Sequence, residues 1–104
     1  MNSQLKRGVL DICVLTTLIK EDSYGYKIIK DLSDHVILSE STLYPILKRL
    51  ESLNCLTVYS VIYSNRVRRY YKITEAGRQR IFNFIEEWKS IMKIYKYIEG
   101  AIEQ

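Results

Sequence analysis

The last third of this 104-residue chain limits its architecture more than any other stretch. After Thr74, residues Ile81, Phe84, Ile85, Trp88, Ile91, Met92, Tyr95, Ile98 and Ile102 recur at spacings of three and four. That rhythm gathers them along one side of an α-helix. Sustained for about 28 residues, it makes a helix ~42 Å long. The preceding ~73 residues can form a body only some 25–30 Å across. The helix must project, and its far half must bury Trp88, Met92 and Tyr95 against something outside that body. A second copy of the same helix is the economical partner, since most oligomers are two-fold dimers. Phe84, Trp88, Ile91, Tyr95 and Ile98 are the residues expected to form that contact. A membrane surface is a weaker rival, because the polar side mixes Glu86, Glu87 and Glu99 with lysines.

A second periodic stretch runs from Leu38 to Leu56, LSESTLYPILKRLESLNCL. Leu43, Ile46, Leu47 and Leu50 fall at i, i+3, i+4 and i+7, an apolar inner stripe. The other side carries Ser41, Tyr44, Pro45, Lys48, Arg49 and Ser52. Ser39 or Ser41 can cap the start by accepting a free first-turn amide. Pro45 removes one helical hydrogen bond and predicts irregular early turns. A short helix with hydroxyls and cations on its open side suits a DNA major groove. The same pattern also describes an ordinary core helix with a solvated face.

Upstream, Lys6 to Ile19 reads as a helix apolar around more than half its circumference, so it is buried on several sides. Ser23 is a candidate cap for a second helix, YGYKIIKDLS, with Ile28, Ile29 and Leu32 inward. Gly25 in its first turn predicts close packing against a neighbour. Asp34 to Ile37 is a connector, with a short strand expected over Val36–Leu38.

After Asn54 the period changes. TVYSVIY and VRRYYKI, separated by Ser64-Asn65-Arg66, form a hairpin signal with Asn65 able to take positive φ. Val67, Tyr71 and Ile73 are expected on the buried side, and Arg68, Tyr70 and Lys72 on the exposed side. Arg66, Arg68, Arg69 and Lys72 are four cations with no acid among them, which suits phosphate contact. Thr74 is the expected N-cap of the long helix, with Glu75 in its first turn.

Composition closes off other functions. The net charge of +4 is a mild pull toward anionic partners. Cys13 and Cys55 lie far apart among apolar neighbours and read as reduced, buried thiols. His35 is the single histidine, so zinc sites and histidine-based triads lack material. No phosphate loop or nucleophile elbow is present, and neither metal, cofactor nor catalytic residue is expected. MNSQLKRG has no signal-peptide character and no apolar run spans a membrane, which predicts a cytoplasmic protein.

Three helices, a two-strand ribbon and a long helix together describe a mainly α chain, a winged helix-turn-helix plus a C-terminal dimerisation helix. Residues 1–73 would be the DNA-binding domain and 74–104 the dimer helix. The stretches LKRGVLDICVLTTL, YGYKIIKDL, LSESTLYPILKRLESLNCLT and RRYYKITEAGR closely resemble the PadR-like transcriptional regulators. The family's STLYP, LKRLE and YY-x-[IL]-TE-x-G signatures stand at Ser41–Pro45, Leu47–Glu51 and Tyr70–Gly77. The resemblance covers roughly residues 5 to 98 and points to the short branch, with a single C-terminal helix. It implies a dimeric repressor on a pseudo-palindromic operator, beside its own gene or a transporter or detoxification gene.

The family's DNA-facing positions correspond to Ser41, Thr42, Tyr44, Lys48, Arg49 and the wing residues Arg66, Arg68, Arg69 and Tyr70. In some short-branch relatives, paired tryptophans sandwich planar hydrophobic drugs at the dimer seam. Trp88 occupies the matching place, but Phe84, Met92 and Tyr95 are bulky enough to fill such a pore, so a tryptophan that only packs the dimer seam stands beside the ligand platform as a reading. The wing tip here is shorter than is usual in the family and lacks glycine, which favours phosphate contact over deep groove insertion. A winged-helix module that binds a protein through its tyrosine-rich ribbon is the alternative to a DNA-binding regulator.

Overall fold

The computed structural model describes residues 3–104. Its order is α1 (Ser3–Thr16), α2 (Gly25–Leu32), α3 (Glu40–Ser52), β1 (Leu56–Tyr63), β2 (Arg66–Ile73) and α4 (Glu75–Glu103). Met1 and Asn2 of the MNSQLKRG stretch lie outside the described residues.

The core forms where the apolar stripes meet. Val14 and Leu15 of α1, Ile28 of α2, and Leu43, Leu47 and Leu50 of α3 are fully or almost fully buried. Leu56, Tyr71 and Ile73 close it from the base of the hairpin, and Ile81 from α4. The inner stripe expected of the third helix is buried in full: Leu43, Ile46, Leu47 and Leu50. Cys55 is buried and Cys13 half-buried, both free thiols, and burial pushes the Cys13 thiol up so that it stays protonated.

Local chemistry sets the ends of α3. Ser39 caps it, its side chain accepting the Thr42 amide at 3.2 Å. At the other end, the Cys55 amide returns to the Leu50 carbonyl and the Asn54 amide to Glu51, with Asn54 at φ 58°. This is the Schellman closure, and Asn tolerates its left-handed residue. The helix runs unbroken through Pro45, contrary to the expected irregularity. The carbonyl left without a donor belongs to Ser41, an exposed residue that water can serve.

Several expectations are corrected. The first helix is already formed at Ser3, ahead of Lys6, and ends at Thr16, not Ile19. The hydroxyls of Thr16 and Thr17 donate to the Ile12 and Val14 carbonyls at 2.7 Å, competing with a further turn. Ser23 does not cap α2; Tyr24 holds that position without a side-chain cap. Ser23 instead exchanges both backbone hydrogen bonds with Tyr71, at 3.1 and 2.8 Å, and ties the hairpin to the α1–α2 turn. Its own hydroxyl is buried without a hydrogen-bond partner. Val36–Leu38 is not a strand: the amides of His35 and Val36 turn back to the Leu32 carbonyl, both at 2.8 Å.

β1 and β2 pair antiparallel from Leu56↔Ile73 to Tyr63↔Arg66. Ser64 and Asn65 make the turn with φ 49° and 64°, the left-handed pair of a type I′ hairpin. The expected alternation holds only at the base. Tyr71 and Ile73 are buried, but Val67 is 71 % exposed and its cross-strand partner Ile62 is 78 % exposed. The outer half of the ribbon extends past the body, so neither side finds a core.

α4 starts at Thr74, whose hydroxyl accepts the Gly77 amide at 3.1 Å and donates to the Asn54 carbonyl at 2.6 Å. Gly77 and Ile81 are buried, and Phe84 packs on the core. Past Trp88 every residue is exposed. The molecule measures 64 × 26 × 23 Å with a radius of gyration of 16.4 Å. A compact chain of this length has a radius of gyration near ~13 Å. The excess is the projecting arm.

Candidate nucleic-acid interface

The exposed side of α3 opens with three neighbouring hydroxyls. Ser39 Oγ lies 2.9 Å from Ser41 Oγ and 3.1 Å from Thr42 Oγ1. Ser41 and Thr42 are both exposed, at the end of the helix where free amides and the positive dipole favour anions. Tyr44 and Lys48 continue this side one and two turns later, and both are exposed.

The Tyr44 ring leans across the start of α2. A Cβ at Gly25 would stand 2.7 Å from its hydroxyl and 3.2 Å from its Cζ. The bare glycine therefore seats the tyrosine, which is the close packing its sequence position predicts. Tyr44, Glu40 and Tyr26 then face Val67 and Arg69 of the wing across one open groove. Glu40 places a carboxylate on the same rim.

The basic run of the wing is divided by its pleat. Register puts Arg69 on the side shared with Val67 and Tyr71, and Arg66, Arg68 and Lys72 on the other. Arg69 is exposed beside Tyr44, and Arg66 is exposed at the tip. Arg68 is half-buried, its guanidinium carbon 4.2 Å from the centre of the Tyr24 ring and 4.6 Å from that of Tyr63. Such cation–π contacts hold the side chain along the ribbon. Tyr70 is half-buried too, stacked on Tyr59 at 5.7 Å and meeting Tyr24 edge-on at 5.4 Å. Tyr59 donates to Asp22 at 2.6 Å, and that hydrogen bond pushes its phenol up to about 12. The tyrosines thus brace the wing against the turn before α2.

Arg49, expected to face DNA, is placed elsewhere. Its guanidinium turns inward onto the buried Asp11 of α1. Asp11 holds Arg49 and Gly25 seats Tyr44; the sequence pattern singles out Gly25 but not Asp11. An acid inside the apolar run VLDICVLTTL was the available signal for Asp11.

Trp88 is half-buried, its ring 5.7 Å from Phe84. Ile91, Met92, Tyr95 and Ile98 are exposed beyond it, and the Tyr95 hydroxyl donates to Glu99 at 3.0 Å. Ile81, Phe84, Trp88, Ile91, Tyr95, Ile98 and Ile102 alternate spacings of three and four, a heptad seam that begins in the core and runs out along the arm. Among the described residues, no group of three His, Cys, Asp or Glu side chains is placed to hold a metal ion, and no helix is long and apolar enough to cross a membrane.

A family model described as the transcriptional regulator PadR-like family matches residues 14–83. The chain belongs to the PadR family of transcriptional regulators. Its winged-helix fold is shared with solved PadR-like proteins. A PadR-like transcription factor from Bacteroides fragilis is 33 % identical at a TM-score of 0.83, over 92 % of this chain and 95 % of that one. A transcriptional regulator from Clostridium thermocellum is 32 % identical at a TM-score of 0.80, over 91 % and 97 %. Bacillus subtilis PadR in complex with operator DNA is 24 % identical and shares the fold at a TM-score of 0.69, over 74 % of this chain and 46 % of that one. In PadR terms, α3 is the third helix of the winged fold, the β1–β2 hairpin is the wing and α4 is the C-terminal helix.

Proposed function

We propose that this PadR-family chain acts in the cytoplasm as a homodimer that binds a pseudo-palindromic DNA operator and represses transcription. Residues 1–73 serve DNA binding, and residues 74–104 pair two copies. The observation that carries the reading is the two-sidedness of α3. It buries Leu43, Ile46, Leu47 and Leu50, and leaves Ser41, Thr42, Tyr44 and Lys48 exposed beside a wing bearing Arg66 and Arg69. The B. subtilis relative that shares this fold was captured on operator DNA, which supports the same use here.

In this reading Ser41 and Thr42 meet base edges, while Tyr44, Lys48, Arg66 and Arg69 hold phosphates. Arg68 and Tyr70 act on DNA mainly by keeping the wing in place. A dimer that neutralises ~6–10 phosphates has a log affinity that falls with log salt at about −0.9 per phosphate. The test begins with selecting duplexes from a random pool. Thr42→Ala should relax discrimination at its contacted base pair by ~1–3 kcal/mol. A salt-independent curve, or equal losses on selected and shuffled duplex, would remove α3 from the reading role. No shift of duplex at modest salt would favour the protein-interaction alternative.

Gly25→Ala probes the seat of Tyr44. The new methyl meets the far end of a movable ring, so the fold should survive with its melting temperature almost unchanged. The displaced hydroxyl should weaken operator binding by about two- to tenfold, the worth of one hydrogen bond. Unchanged affinity in a band-shift titration would take Tyr44 out of the phosphate set.

Relief by a planar aromatic ligand at Trp88, Met92 and Tyr95 belongs to the same proposal. Trp88 and Met92 border an open groove on the surface of α4, shared with Lys89, Lys93 and Lys96, while Tyr95 is not among its lining residues. Planar aromatic cations should quench Trp88 emission and release duplex. Quenching without release would leave binding but no regulation.

A further inference from the structure

Asp11 lies midway along α1, and its side chain is only 3 % exposed. A buried carboxylate is costly unless it is paired, so its partners carry information. Arg49 of α3 reaches it through both ends of its guanidinium: Nε donates to Oδ2 at 3.2 Å and Nη2 to Oδ1. Arg80 of α4 brings Nη2 to 4.0 Å from the same Oδ2. One carboxylate on α1 therefore grips the reading helix and faces the root of the arm.

We propose that Asp11 and Arg49 are positioning residues for DNA recognition, clamping α3 in the pose that Ser41 and Thr42 need, and that Arg80 links this clamp to α4. The proposal rests on α3 being the DNA-facing helix. It reverses the role that the sequence implied for Arg49. A forked guanidinium matched to both carboxylate oxygens is held in place by geometry as well as charge. Swinging it to a phosphate would strand Asp11 in the core with Arg80 as its remaining partner at 4.0 Å. Lys48, one position earlier and ~100° around the helix, is exposed and takes the phosphate role instead. Arg80 stands one turn before Phe84 and two before Trp88 on the same side of α4. A rotation of the arm therefore changes what Asp11 feels from Arg80.

The experiment uses the full-length protein, a duplex chosen from the random pool and a shuffled duplex of equal length, across a salt series. Arg49→Gln should leave the salt slope as in wild type while lowering the selected-to-shuffled affinity ratio by about tenfold. A slope flatter by ~0.9 per subunit, with both duplexes weakened alike, would make Arg49 a phosphate contact and overturn the proposal. Asp11→Asn should release Arg49 to the backbone. The slope then steepens by up to ~0.9 per subunit, shuffled duplex binds more tightly, and Arg49→Gln in that background cancels both changes. If Asp11→Asn fails to fold, the Arg49→Gln arm decides alone. Arg80→Gln should lower the ratio with an unchanged slope; an unchanged ratio would exclude α4 from the clamp. A wild-type protein that shifts no duplex at any salt overturns the α3 reading itself, and is recognised without any variant.

Discussion

In the proposed dimer, Ile98→Asp should leave a 12.3 kDa monomer and weaken the proposed operator binding. Ile98 lies on the seam formed by Trp88, Ile91, Tyr95 and Ile102, and it is 54 % exposed on the lone chain. Two such seams facing each other would bury their apolar side chains in knobs-into-holes packing. A carboxylate there would have to enter that seam without a partner, which costs several kcal/mol per dimer. The core of each body is more than three turns away, so the body itself should stay folded. The loss at DNA follows from linkage between half-sites. Held together, the second body binds at an effective concentration set by the arm, and pairing gains a factor of 10²–10⁴, by order of magnitude, over one body alone. Sedimentation equilibrium should therefore show the monomer mass, and operator affinity should drop by about a hundredfold or more. Lys93→Gln, on the far side of α4, should change neither by more than a few fold. An Ile98→Asp protein that remains dimeric at micromolar concentration would move the interface off this seam.

Gly77→Ala should be the most damaging single methyl in the chain. In an exposed helix this change stabilises by ~1 kcal/mol, because alanine restricts the unfolded backbone. Here a Cβ would stand 2.2 Å from the Cys55 carbonyl oxygen and 2.7 Å from Ile73 Cγ1. Neither neighbour can yield cheaply. The Cys55 carbonyl already accepts the Thr74 amide at 3.0 Å, and Thr74 Oγ1 is bonded to both Asn54 and Gly77. The first turn of α4 would have to lift off the junction between α3 and β1, and Ile81 would leave the core with it. Overpacking of this kind costs about 3 kcal/mol. For a domain of this size that lowers the melting temperature by more than ~10 °C. A melting temperature equal to or above wild type would mean that the helix start is free to shift.

Much of the architecture is readable from local chemistry. Ser39 and Thr74 cap their helices as their positions before an apolar period predict, since a side-chain oxygen three residues ahead of an amide needs nothing from the rest of the chain. The hairpin follows from two β-branched, tyrosine-rich runs and an asparagine that accepts positive φ. The length of α4 and the stripe along it are plain from spacing alone. What failed were positions where a distant segment competes for the same groups. Ser23 looks like a cap, yet its amide and carbonyl are taken by Tyr71, almost fifty residues on. Val67 looks inward by alternation, yet the ribbon there has outrun the body.

The site divides along the same line. Sequence periodicity by itself determined which residues of α3 face inward and outward, because a helix repeats every 3.6 residues whatever surrounds it. It also determined that four cations crowd one strand. Only the tertiary structure decided which of those outward groups are available. Arg49 is drawn to a carboxylate 38 residues away, Arg68 lies between Tyr24 and Tyr63, and Tyr44 rests where Gly25 leaves room. Long side chains choose partners by proximity in space and by the cost of leaving a buried charge unpaired, and no local repeat records either.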